Sequence, residues 1–250
     1  MIRMIPRPTL PARDLERICR TRRHPTRTQP DYVVLMVLVH ELKRVLAAVA
    51  HPVDDVLDLF AATQPYRDLL PPHSNYVAMD IDEHYGPQDV VSDEFLPFAD
   101  DAFDLLLFTE AFHYLTEPEE GIAELGRVLR PGGTIVLTVP LVWEYDRRIV
   151  ERRYTGPLLA DLFEGWDDLS IEEIGGYAVA WATLSGRIVR GLSECGPQPL
   201  RHLTARLVPV ASLAINAVAA GLARLERHWH VGPFVLPMGL MVVARAPMSR

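Results

Sequence analysis

Four short apolar runs constrain the fold of this 250-residue chain more than any other feature. They are Val56-Leu57-Asp58-Leu59, Tyr76-Val77-Ala78-Met79-Asp80, Phe103-Asp104-Leu105-Leu106-Leu107-Phe108 and Thr134-Ile135-Val136-Leu137-Thr138-Val139. Compact, nearly continuous apolar runs that end in acidic or turn residues read as strands buried on both faces, the signature of a parallel sheet. Segments of helical period lie between them. In the clearest, residues 119–129, Ile122, Leu125, Val128 and Leu129 share a face, and Arg127 and Arg130 sit near the C-terminus, where the helix dipole favours cations. Pro131-Gly132-Gly133 predicts a tight turn into the next strand. This alternation predicts an α/β fold with a doubly wound, Rossmann-like sheet. A helix capped by Asp31 and running to Ala48 precedes the first strand. Residues 169–174 and 238–244 add later strands, and residues 177–232 read as a helical insertion before the final one.

Charge is spread unevenly. Residues 1–30 carry eight arginines against Asp14 and Glu16, a balance of +6, so a chain of net charge −8 carries −14 on its other 220 residues. The reading is a basic arm, solvated or closing over the domain, on one domain of residues 31–250. An acidic body argues against nucleic acid as a partner, because neutralising phosphate needs a basic surface. The first apolar run begins only at Tyr32 and no signal peptide is visible, so a cytoplasmic protein is expected. Cys19 and Cys195 lie far apart with no Cys-x-x-Cys, and His228-Trp229-His230 has no third ligand nearby, so no metal is expected. Residues 207–223 hold no charge, but they fall short of the ~20 residues of a membrane span and include Pro209, Ser212 and Asn216. The expectation is an amphipathic helix packed on the domain, with Val210, Leu213 (or Ala214), Val218, Leu222 and Leu225 in one stripe and Ser212 and Asn216 in another. Membrane-surface contact is the second option.

Ligands of a doubly wound sheet sit beyond the carboxyl ends of its strands, near the first strand–helix turn. That turn is residues 58–67, where Tyr66 and Arg67 are expected to pack the first helix on the sheet. Asp80 ends the second strand ~20 residues on, where a carboxylate can accept both ribose hydroxyls. His113-Tyr114 follows the third run, either facing an acceptor at the cleft mouth or as a polar pair capping a helix. Neither a serine-hydrolase elbow nor a P-loop is present.

Three blocks, residues 63–67 (Thr-Gln-Pro-Tyr-Arg), 96–104 (Leu-Pro-Phe-Ala-Asp-Asp-Ala-Phe-Asp) and 127–133 (Arg-Val-Leu-Arg-Pro-Gly-Gly), together resemble the class I S-adenosylmethionine-dependent methyltransferases, in the branch associated with glycan and natural-product biosynthesis. The resemblance covers about residues 56–176. It implies a seven-stranded sheet with the last strand antiparallel, and S-adenosylmethionine as cofactor. It also implies contacts from the first loop, from Asp80 to the ribose and from Asp93 to the adenine amino group. Asp58, Phe60, Ala61, Ala62, Asp80, Ile81 and Asp93 would hold the cofactor, with Thr109 and Glu110 at the cleft.

The departures are specific. The family's first strand runs into Asp-x-Gly-x-Gly, and Phe60 and Ala62 hold those glycine positions. The benzyl group either swings into packing or fills the space of the cofactor's methionine half. After the run ending at Val139, the histidine that this branch often carries is replaced by Asp146, which reads as a catalytic base or as an ion-paired loop acid among arginines. Two functions follow. One is methyl transfer to an oxygen or nitrogen of a small-molecule or glycan-like acceptor, with His113 or Asp146 as base. The other is a methyltransferase fold that has lost the cofactor and transfers no methyl group, either catalysing a cofactor-independent cyclisation, rearrangement or elimination or acting as a binding protein.

Overall fold

Each apolar run forms a strand in the computed structural model, which describes residues 8–92, 96–145, 147, 150–195, 198–226 and 235–248. β1 (Asp55–Leu59), β2 (Asn75–Asp80), β3 (Val90–Val91), β4 (Phe103–Thr109), β5 (Leu129–Pro140), β6 (Asp167–Ile174) and β7 (Gly239–Arg245) make one sheet in the order β3-β2-β1-β4-β5-β7-β6. β1 to β5 pair in parallel, and β7 runs antiparallel between β5 and β6. The short β3 had no signal in the sequence.

Helices cover both faces, as nearly continuous apolar runs require. Leu57, Leu106 and Leu137 point to one side, against α3 (Pro118–Val128) and α4 (Gly156–Leu162). Val56, Leu105 and Val136 point to the other, against α2 (Tyr32–Ala47) and the start of α5 (Tyr177–Cys195). The helices preceding the sheet and following β6 therefore share a face. Asp31 stands at the N-cap position of α2 but does not cap it. Its carboxylate instead accepts from Arg190 at 2.7 Å and lies 3.6 Å from Arg187, tying α2 to α5.

Three other local expectations are corrected. First, no α-helix follows β1: the connection holds only a 3-10 turn, Arg67–Leu69. Pro65 and the Pro71-Pro72 pair leave too few residues between them to nucleate a helix. Tyr66 is buried, and Arg67 lies over the Tyr76 ring. Second, Pro131-Gly132-Gly133 does not turn the chain but sits inside β5, at a register shift against β4, with Gly132 at φ +76°. Arg245 donates to the Gly132 carbonyl and the Gly132 amide to the Ala246 carbonyl, so β7 holds the irregularity in place. Third, α6 (Gln198–Glu226) packs by the opposite stripe to the one expected. Ser212, Asn216 and Ala219 are buried, whereas Leu207, Val210, Leu213, Val218, Leu222 and Leu225 are exposed. Asn216 Nδ2 donates to the carbonyls of Arg27 and Gln29, which anchors the polar stripe inward.

The described part of the basic arm folds as α1 (Ala12–Arg23) and lies against the carboxyl edge of the sheet. The Leu10 amide donates to the His84 carbonyl, His84 Nδ1 lies 2.7 Å from the Pro8 carbonyl, and Arg23 pairs with Asp68 at 2.7 Å.

Asp58 of β1 faces the α2 side of the sheet, fully enclosed, and accepts a hydrogen bond from Tyr76 at 2.7 Å. Burial pushes its pKa up to about 7, against the pull of the Tyr76 hydroxyl. A carboxyl whose pKa is raised on folding contributes full stability below its unfolded pKa near 4, and that contribution is lost as pH climbs through 7. Asp58→Asn removes the titration and keeps an acceptor for Tyr76. Urea unfolding should therefore show the variant gaining roughly 1–3 kcal/mol relative to the parent between pH 5 and pH 8; a pH-independent difference would contradict the assignment.

Candidate functional site

β1, β2, β4 and β5 run the same way, so their last residues gather at one edge. At the end of β1 the chain turns through Phe60, Ala62 and Gln64, all left-handed, with φ of 55°, 47° and 52°. An L-residue pays about 1–2 kcal/mol for that conformation, which glycine adopts freely. Phe60 and Ala62 thus hold the backbone that glycine would give. Three contacts enforce it: Asp80 Oδ2 accepts the Ala62 amide at 3.0 Å, Gln88 Nε2 donates to the Ala62 carbonyl at 2.8 Å, and the Ala61 amide reaches the Met79 carbonyl at 3.1 Å. The other Asp80 oxygen accepts the Ile81 amide at 2.8 Å. The Phe60 ring stacks on Phe108 of β4 with centroids 5.4 Å apart and planes within 9°, so the benzyl group goes into packing. Thr63 Oγ1 and Gln88 Oε1 are buried beside this loop with no hydrogen-bond partner among the described residues.

Thr109 ends β4, and Glu110 turns the chain at φ 56°, its amide bonded to the carbonyl and Oγ1 of Thr138. The Glu110 carboxyl is enclosed and Oε1 has no partner among the described residues. Burial raises its pKa, opposed by Thr138 and by the charge of Arg22. His113 lies in the 3-10 turn Phe112–Tyr114, 1% exposed, with neither ring nitrogen partnered among the described residues. Burial drives its pKa down to about 4, partly offset by Glu151. His113 is therefore a neutral imidazole at pH 7 with an acceptor nitrogen. It is not a helix cap.

A cavity of about 410 Å³ opens at this edge. Glu110, His113, Tyr114 and Trp143 line its floor, with Arg17 and Arg22 from α1 and Arg187 and Arg190 from α5 as walls. Four guanidiniums face two carboxylates there, Glu110 and Asp31. Arg187 also lies over the Trp143 ring at 3.7 Å and pairs with Glu144 at 3.6 Å. A second cavity, about 810 Å³, separates α1 from the turn after β1; Arg13, Arg20, Arg23 and Arg67 line it together with Glu16 and Asp68. Neither cavity is lined by Asp58, Phe60, Ala62 or Asp80.

The Ala62 and Ile81 amides both bond Asp80, with Phe60 and Ala61 in the same turn. Thr109, Glu110 and His113 follow one another at the end of β4. Asp58 stands apart from both, turned inward to Tyr76. Asp93, Asp146 and the His228-Trp229-His230 segment lie outside the described residues. Gln88, Arg22, Arg187 and Arg190 were not foreseen. Only the arginine density of the arm hinted at Arg22.

A family model described as a methyltransferase domain matches residues 64–137. A curated demethylmenaquinone methyltransferase from Clavibacter sepedonicus is 45% identical over 53 residues, which are 19% of this chain and 22% of that relative. This match therefore spans about a fifth of the relative's length. Among solved structures, a protein titled a putative sarcosine dimethylglycine methyltransferase from Galdieria sulphuraria superposes with TM-score 0.55 at 14% identity, covering 94% of this chain and 99% of that one. The [4+2]-cyclase SpnF superposes with TM-score 0.53 at 17% identity, covering 84% and 82%. A methyltransferase from Archaeoglobus fulgidus gives 0.52 at 13%, covering 92% and 99%. With the sheet order, the likenesses to solved structures fix the fold, and residues 64–137 match a methyltransferase domain.

Proposed function

We propose that this chain transfers a methyl group from S-adenosylmethionine to an oxygen or nitrogen of a small anionic acceptor. The observation that carries the reading is the Glu110–His113 cavity, where buried polar groups without partners sit beneath four guanidiniums. The cofactor residues fit the group: the loop after β1 holds a left-handed backbone of the kind glycine adopts freely, and Asp80 ends β2 against it. A carboxylate has about four lone-pair directions, so orienting the loop and accepting ribose hydroxyls are compatible roles. Asp80 and Ile81 would hold the adenosine side and Phe60, Ala61 and Ala62 the methionine side, with Thr109 and Glu110 beside the reacting end. When bound, the cofactor supplies an electrophilic methyl group.

The chain's own part is alignment, which dominates an in-line displacement. Arg22, Arg187 and Arg190 orient an acceptor carboxylate or phosphate, and Trp143 gives it an apolar wall. For a hydroxyl acceptor, His113 takes the proton on its unprotonated nitrogen. A glycan-like acceptor fits only if it bears an acidic group. One observation favours the alternative, a fold that transfers no methyl group: α1 lies over the strand ends, with Arg17, Ile18, Thr21 and Arg22 lining the cavity beside Glu110 and His113.

Calorimetry with S-adenosylhomocysteine separates the two. The expected result is micromolar binding, weakened about 10- to 100-fold by Asp80→Asn through loss of a charge-assisted acceptor. No heat at millimolar ligand would establish the alternative. The acceptor class is tested by labelled methyl transfer to paired hydroxy acids and their methyl esters. Acids should be preferred by about tenfold in kcat/KM, and Arg22→Ala should narrow the ratio, as loss of a charged hydrogen bond does. A preference for esters would contradict the anionic assignment.

A further inference from the structure

α5 and α6 pack against each other, and together they present an apolar surface to the outside. On α5, Trp181, Leu184, Ile188 and Leu192 are exposed; at 100° per residue they share one side, opposite the buried Val179, Ala182, Thr183 and Gly186. α6 repeats the arrangement in inverted form, burying Ser212 and Asn216 while exposing its leucines and valines. Water alone disfavours that orientation, since burial of the aliphatic stripe drives such helices onto a core. The inversion means that the outer stripe is shaped for a surface other than water.

The charges indicate which surface. Residues 207–223 carry none; Arg201 and Arg206 stand exposed before them and Arg224 after them. Among the described residues of the two helices, Glu194 is the one exposed acid, because Glu226 accepts the Tyr177 and Ala178 amides. A second copy seated stripe on stripe would bring its arginine-flanked ends against these, arginine facing arginine. A bilayer rich in anionic lipid complements both the apolar stripe and its basic ends. The segment Thr204–Glu226 is long and apolar enough to cross a membrane. Its inward face, however, is held to the domain by Asn216 at 2.8 Å and 3.0 Å from the Arg27 and Gln29 carbonyls, so it lies along the interface.

We infer that the α5–α6 hairpin docks this protein on an anionic lipid surface, with the outer stripes in the headgroup–acyl boundary. Arg187 and Arg190, on the inner side of α5, line the cleft cavity. Docking therefore sets the mouth of the acceptor cleft beside the lipid. The inference stands whether or not the cofactor binds.

Sedimentation of the full chain with vesicles of phosphatidylcholine, with and without phosphatidylglycerol, tests it. The protein should pellet with the anionic vesicles at about tenfold higher partition than with the neutral ones, and Ile188→Asp with Leu213→Asp should lower that partition about tenfold while circular dichroism and Tm stay unchanged. Brominated lipids give a second reading that does not depend on the folding of the aspartate variants: they should quench tryptophan emission of the parent, and Trp181→Phe, a mild change, should remove most of that quenching. No pelleting with either vesicle would overturn the inference. So would sedimentation equilibrium showing a dimer that Ile188→Asp dissociates.

Discussion

The carboxylate of Asp80 and the amide of Ala62 are joined by one hydrogen bond, and the functional edge depends on it. Without glycine, the loop after β1 has no intrinsic preference for left-handed φ, and Phe60, Ala62 and Gln64 all adopt it. Each such residue costs about 1–2 kcal/mol, an amount that one charge-assisted hydrogen bond, the Gln88 amide and the Phe60–Phe108 stack together can offset. The glycine role has passed from conformational freedom in the residue to contacts around it. This is why a bulky side chain at position 60 leaves the backbone shape intact.

The sheet was legible because its signal is local. Runs such as Leu105-Leu106-Leu107 are apolar at every position, and only burial on both faces explains that. The connection after β1 breaks the strand–helix alternation because Pro65 and Pro71-Pro72 leave room only for a 3-10 turn. In α6 the period was legible but the direction was not. Amphipathicity says that two stripes differ and does not say which one meets the domain. Asn216 decides it through the carbonyls of Arg27 and Gln29, contacts across more than 180 positions that no local pattern encodes.

The candidate site divides in the same way. The position of Asp80 at this edge is legible from its spacing behind β1, and that of Glu110 and His113 from their place after a strand, because parallel topology alone brings those ends together. Asp58 is correctly placed on β1, yet it is an interior carboxyl paired with Tyr76 and stands apart from both groups. Arg187 and Arg190 come from a helix almost eighty residues beyond β4, and their link to Asp31 needs the tertiary fold. The arm, legible as basic, becomes α1 lying over an acidic edge. Its arginines meet Asp68 and the cavity above Glu110, and through them the charge asymmetry of the chain becomes part of the site.

The most direct measurement is backbone hydrogen exchange over residues 60–64 and α1, with and without saturating S-adenosylhomocysteine. Slowed exchange at 60–64 and around Asp80, with a change in α1, is the expected result if the pinned loop beneath α1 is the cofactor site. Exchange unchanged in both segments at saturating ligand would contradict it.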